Sequence, residues 1–262
     1  MIKRSFISMA LILTSAIMVQ TCSSQKEALD AGDITSTFER GMVYMEKENY
    51  LKAEETFTFI IYNDPGGAFA DDAQFYLAES YYHREEYLLA ISEYDRLIRR
   101  MKNSSFVEHA FWRKAEAYCE LSPDYRLEKD MTEKALRFLY DFIEIYPESK
   151  YVEDANLRIT EMREKLARKL LETARLYDTL QEYESAMYYY DSVILNYADT
   201  RLHASARLGK AGGLAFLERW DEARELLLSV AEDGQENLSA AELQRMKRLG
   251  NEVVDHTNPE DK

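Results

Sequence analysis

The sequence predicts an all-α protein, a solenoid of about five helix pairs with one long linking helix. Three observations carry this expectation. Small and apolar residues recur in a fixed order at helical spacing. Ala, Leu, Glu, Lys and Arg dominate, whereas the 262 residues hold only 9 Gly and 4 Pro, too few for the many tight turns of an all-β fold. A run of about 30 residues, 151–181, contains no helix breaker.

Taken in order, the first element is an export signal over residues 1–21. Lys3 and Arg4 precede an apolar stretch from Phe6 to Val19, and no acidic residue occurs before Glu27. That stretch is short of the roughly 20 residues a membrane-spanning helix needs. It ends at Val19-Gln20-Thr21-Cys22, similar to a lipobox but with Val19 and Thr21 in place of its usual residues. Cys22 is therefore the candidate lipidation site; an ordinary cleaved signal with an incidental cysteine is the alternative. Residues 22–33 are polar and read as the lipidated N-terminus and tether. The other cysteine, Cys119, sits in a helical run and reads as a lone thiol.

From residue 34 the chain repeats. Alanine recurs at 53, 90, 135, 186 and 223; four residues later come Phe57, Tyr94, Leu139, Tyr190 and Leu227, and three further on Ile60, Leu97, Phe142, Val193 and Val230. These offsets make one helical face. Upstream of each alanine lies another small residue, Gly41, Ala78, Ala115, Ala174 or Ala211, with Tyr44, Tyr81, Tyr118, Tyr177 or Leu214 three positions later. Small residues allow two antiparallel helices to approach, and the tyrosines are expected in the core. One such pair cannot bury its face alone, so pairs stack.

Repeats one to three occupy 34–150, with a turn-rich insertion at 121–130. The linking helix and repeats four and five occupy 151–235. Residues 236–262 read as a C-terminal helix, about 240–253, and a disordered tail. Ser36, Ser105 and Ser239, each followed three residues later by Glu, have capping-box spacing. Gly212-Gly213 falls inside a helix and is expected to permit close packing.

No catalytic or metal signature emerges. His83, His109, His203 and His256 are scattered, and there is no nucleophile elbow, phosphate loop or dinucleotide fingerprint. The chain reads as neither an enzyme nor a cofactor carrier. Its formal charge is −15, and loss of Lys3 and Arg4 with the signal takes the remainder to about −17, which repels nucleic acid and anionic lipid alike.

The repeat resembles the tetratricopeptide repeat, whose spacing is about 34 residues. That resemblance implies that first helices line a concave face. On it fall Phe38, Met42 and Met45 of repeat one, Phe75 and Tyr82 of repeat two, and Trp112 of repeat three: an aromatic and methionine groove for a peptide, or a stripe that packs first helices together. Tyr188 and Tyr189 lie outside the core offsets and form a candidate partner patch.

The order of repeat helix, Tyr146-Pro147-Glu148-Ser149-Lys150-Tyr151 turn, long helix and Tyr197-Ala198-Asp199-Thr200 turn resembles the BamD family of the outer-membrane β-barrel assembly machinery. The resemblance implies a scaffold lipoprotein, lipid-anchored at the outer membrane and facing the periplasm. It would dock on a BamA-like barrel insertase, associate with other assembly-machinery lipoproteins and receive unfolded outer-membrane proteins. The competing expectation is a periplasmic repeat adaptor of another envelope system, such as a Tol–Pal-linked one.

Overall fold

A computed structural model describes Leu29 and residues 32–257 of the chain. Cys22 and the export signal lie outside the described residues. The elements, in order, are α1 (Ile34–Glu46), α2 (Tyr50–Asn63), α3 (Ala70–His83), α4 (Tyr87–Arg100), α5 (Val107–Glu120), α6 (Asp130–Ile145), α7 (Val152–Thr179), α8 (Tyr183–Asn196), α9 (Leu202–Phe216), α10 (Trp220–Asp233) and α11 (Ala240–Thr257), with one 3-10 turn at Gln235–Asn237. No strand occurs among the described residues. Each second helix packs on its own first helix and on the next one, so the core runs along the solenoid as linked clusters.

The small residues explain the pairing. Ala53, Ala90, Ala135, Ala186 and Ala223 are fully buried, as are Ala78, Ala115, Ala174 and Ala211. A Cβ on Gly41 would stand 2.7 Å from the ring of Phe57, so repeat one admits only glycine without a shift of that ring. The large residues four and seven positions after each alanine, from Phe57 and Ile60 to Leu227 and Val230, fill the space between the paired helices.

Four of the tight turns between paired helices carry a non-glycine residue in the left-handed region at the same register: Glu48, Glu85, Gln181 and Glu218, with φ of 54, 61, 61 and 60°. The third pair has no such residue. There the 121–130 insertion folds back on the long helix, where Lys165 Nζ donates to the Ser122 carbonyl at 3.1 Å and Lys169 Nζ to that of Leu127 at 2.5 Å. On the other side of the same helix Arg163 grips Asp199 and the Asn196 carbonyl, and Arg201 grips Glu164. The middle of α7 is thus tied to both flanking units.

Several local expectations are corrected. Of the three capping boxes only Ser239 forms one, exchanging bonds with Glu242 at 3.0 and 3.3 Å. Ser36 lies inside α1, whose cap is Asp33, and Ser105 lies in the turn before α5. The tyrosines expected in the core, Tyr44, Tyr81, Tyr118 and Tyr177, are half-buried at the helix edges; the interior tyrosines are Tyr94 and Tyr190 of the second helices. Close approach in α9 is made by Gly209, whose added Cβ would meet Tyr190 at 2.4 Å, and, of the Gly212-Gly213 pair, by Gly212, whose added Cβ would stand 2.6 Å from the Arg245 guanidinium; at Gly213 the nearest atom is 3.9 Å away. The last helix runs on to Thr257 because Leu249 and Val253 remain buried and His256 stacks on Trp220 at 4.0 Å.

Candidate functional site

The stripe Phe38, Phe75, Trp112 has a structural partner at every step. Each residue receives a ring from the turn that leads into the first helix of the next repeat. Phe38 stacks on Phe69 at 4.8 Å, Phe75 on Phe106 at 4.6 Å and Trp112 on Tyr151 at 5.5 Å. The corresponding leucines behave alike: Leu171 shares a cluster with Leu202, and Leu208 with Leu238. This ladder links each repeat to the next. Phe75 and Trp112 are only 3 and 4 % exposed and offer no ring face to a ligand, as the packing alternative requires. Phe38, Met42, Met45 and Tyr82 are half-buried on the same side of repeats one and two. Met45 Sδ accepts the Ser80 hydroxyl at 3.3 Å, so it too is partly engaged.

Tyr82 borders a polar knot between repeats two and three. The Arg113 guanidinium lies 3.7 Å from the centroid of the Tyr82 ring and donates to both oxygens of Glu79, at 2.7 and 3.0 Å, and to Glu116 at 2.9 Å. The Tyr94 hydroxyl also donates to Glu79. Burial works against the Arg113 charge, but the hydrogen bonds and charge of Glu79 outweigh it and hold its pKa above the ordinary arginine value. Burial pushes the Tyr82 phenol up to about 12 and raises the Glu116 carboxyl, against the pull of Arg113. Arg113 is therefore neutralised within the fold and is not a free receptor for a carboxylate.

In repeat four the Tyr190 hydroxyl donates to Asp178 at 2.5 Å. Sequence reasoning missed this tyrosine–carboxylate pairing, and it missed a pair of ion pairs at one register. Lys114 Nζ donates to Asp95 at 2.6 Å, and Lys210 Nζ to Asp191 at 2.6 Å. The lysine precedes the small residue of a first helix, and the aspartate lies five positions after the alanine of the preceding second helix. Superposing repeats two and three on repeats four and five would have revealed them.

On α8, Tyr188 is 70 % exposed and stands edge-on to Tyr189, which stacks on Tyr177 at 5.3 Å. With Glu184 and Ser185 these rings line an open hollow of about 420 Å³. Cys119 is buried, and burial pushes its thiol up to about 12, which keeps it protonated and unreactive. Among the described residues no group of three His, Cys, Asp or Glu side chains could hold a metal ion, and no helix is long and apolar enough to cross a membrane.

The family model YfiO, described as Outer membrane lipoprotein, matches residues 30–209, which run from the start of repeat one into α9. The chain belongs to this family. Among its relatives, the outer membrane protein assembly factor BamD of Rickettsia prowazekii is 25 % identical over 214 residues, covering 81 % of this chain and 85 % of that protein. BamD of Caulobacter vibrioides is 24 % identical over 177 residues, covering 66 % of this chain but only 58 % of its own length. Among solved structures, the TPR2AB domain of yeast Sti1 superposes with a TM-score of 0.44 at 14 % identity, over 86 % of this chain and 100 % of that one.

Proposed function

We propose that this chain is a scaffold of outer-membrane β-barrel assembly. In this reading its C-terminal repeats dock on a BamA-like insertase, its N-terminal repeats help receive unfolded barrel proteins, and lipid on Cys22 anchors it facing the periplasm. The observation that carries the reading is the family match over residues 30–209, to a family whose relatives bear the name outer membrane protein assembly factor. The physical character of the chain supports it. Buried ladders join successive repeats, and the middle of α7 is braced on both sides, as suits a body that holds partners at fixed separation. Half-buried Phe38, Met42, Met45 and Tyr82 give the N-terminal repeats an adaptable apolar surface. Tyr188 and Tyr189 give the C-terminal unit an aromatic patch of the kind that anchors protein interfaces. We assign the division into an N-terminal unit, residues 34–150, and a C-terminal unit, residues 151–235, to these two tasks.

The test is crosslinking in intact membranes followed by purification of this chain. Recovery of the BamA-type insertase in the crosslinked product is the expected result, and its absence refutes the assignment. Cys22→Ser should in addition move the folded protein from the membrane fraction to the soluble one.

A further inference from the structure

We propose that the hollow walled by Tyr177, Tyr188 and Tyr189 is a receptor for an arginine side chain of a partner protein, held by the ring faces and by the Glu184 carboxylate. The proposal rests on the reading of Tyr188 and Tyr189 as the partner patch of the C-terminal unit, and it names the group that the patch takes.

The register of the repeats carries it. Tyr177 stacks on Tyr189 with centroids 5.3 Å apart and planes 11° from parallel, and Tyr118 stacks on Phe138 in the same way, at 4.6 Å and 9°. The two stacks are equivalent. Each joins the residue three after the small residue of a first helix to the residue three after the alanine of its second helix. In repeat three the stack has cations of its own: Lys114 Nζ stands 4.3 Å from the centroid of the Phe138 ring, and the Arg137 guanidinium 5.1 Å. Repeat four has Thr173 at the place of Lys114 and Tyr188 at the place of Arg137. Both cations are gone, and a third ring stands beside the stack, 5.4 Å from Tyr189 with planes 86° apart. Among the described residues no lysine or arginine lies over Tyr177, Tyr188 or Tyr189.

The neighbouring carboxylate has lost its cation as well. Glu133, two before the alanine of repeat three, pairs with Lys129 at 2.7 Å. Glu184 holds the same place in repeat four and has no ion pair among the described residues. Arg219 senses the Glu184 charge but is held by both oxygens of Glu222, each at 2.7 Å.

The chemistry of the occupant follows. Aromatic faces are electron-rich and attract a cation. Two rings at right angles make a corner, and Glu184, one helical turn before Tyr188, puts a negative charge on its rim. The hollow of about 420 Å³ has room for a guanidinium. That group is planar and weakly hydrated, so it can lie on one ring while its N–H fork reaches the carboxylate. A chain of formal charge −15 also draws basic surfaces toward it.

The probe is N-acetylarginine methylamide, with the uncharged citrulline analogue as its control. Each is titrated into the full-length protein carrying ring-13C tyrosine and followed by NMR, the three resonances being assigned from single Tyr→Phe variants. Saturable shifts of Tyr177, Tyr188 and Tyr189 are expected with the arginine probe, and binding about tenfold weaker with citrulline. Tyr188→Ala should weaken the arginine probe about fivefold, while Tyr188→Phe, which keeps the ring face, should preserve its binding. Tyr188→Arg restores the internal cation of repeat three and should abolish it. Far-UV circular dichroism checks the fold of each variant. Equal binding of arginine and citrulline, no saturable shift at the three tyrosines, or full binding by Tyr188→Arg overturns the proposal. So does a Tyr188-dependent dimer in sedimentation velocity, which would give the hollow to a second copy. No insertase enters this titration, so its failure leaves the assembly reading standing, and failure of the membrane crosslinking leaves the arginine site standing.

Discussion

The indole of Trp112 lies against the ring of Tyr151 with centroids 5.5 Å apart and planes 9° from parallel. Trp112 belongs to α5, and Tyr151 opens the long helix, so this contact carries the solenoid from the third repeat into α7. Truncating the indole leaves a cavity that packed neighbours cannot fill. Trp112→Ala should cost about 3–5 kcal/mol in chemical denaturation, and Trp112→Phe distinctly less. A double-mutant cycle with Tyr151→Ala should return a coupling of about 0.5–1.5 kcal/mol, the range for paired aromatic rings. A cost below about 1 kcal/mol for Trp112→Ala would mean that the ladder does not join the repeats.

This contact also shows what the sequence could and could not disclose. The pairing of helices was legible because it depends on residue size: Gly41 and the alanines mark close approach, and size is written in the residue type. The role of Phe38, Phe75 and Trp112 was not, because an aromatic on a first helix serves a groove and a stack equally well. The partner ring decides, and Phe69, Phe106 and Tyr151 lie in turns that helical periodicity does not reach. The edge positions of Tyr44, Tyr81, Tyr118 and Tyr177 misled for a related reason. A tyrosine keeps its hydroxyl in water by lying along a helix edge, as Tyr118 does when it stacks on Phe138 at 4.6 Å, and periodicity alone does not separate that from full burial. Ser36 and Ser105 matched a motif, but Asp33 and the Ser104 hydroxyl satisfy the local backbone first.

The equivalent pairs Lys114–Asp95 and Lys210–Asp191 should differ in strength although both span 2.6 Å. The Lys114 and Asp95 side chains are 10 and 24 % exposed, against 23 and 42 % for Lys210 and Asp191. Water screens the second pair more, so a double-mutant cycle there should give no more than about 1 kcal/mol. The first pair should give a larger coupling and respond less to added salt, because Lys114 is sealed beside Phe138. Equal couplings at both sites, in low and high salt, would refute the burial argument.

The left-handed turn residues offer a route to a more stable protein. Glu48, Glu85 and Glu218 are exposed and hold φ near 60°, where a side chain crowds its own backbone and glycine does not. Glycine at each position should stabilise the fold by up to about 1 kcal/mol, since relief of strain exceeds the added freedom of the unfolded chain. The three changes lie in separate repeats and should be additive in the midpoint of thermal unfolding. Alanine is the control: it keeps the strain and should bring no gain.

His109 sits between Phe75 and Tyr151, with ring centroids 4.7 and 5.3 Å away. Burial there disfavours the imidazolium and lowers the His109 pKa; Arg113 and Lys150 act the same way, and Glu79 and Glu108 only partly oppose them. The unfolded chain therefore binds a proton near pH 6.5 that the folded chain resists. Below that value the unfolded state takes up more protons, so His109 subtracts stability as pH falls through 6.5 and contributes no pH dependence well above it. The slope is at most about 1.4 kcal/mol per pH unit, that of one proton. His109→Phe keeps an aromatic ring in the stack and removes the titration. The stability of the variant relative to the parent should rise as pH is lowered from 7.5 to 5.5, while His203, also lowered by burial, stays common to both proteins and cancels. Parallel pH profiles of the two proteins would show that the His109 imidazole is protonated as freely in the fold as outside it.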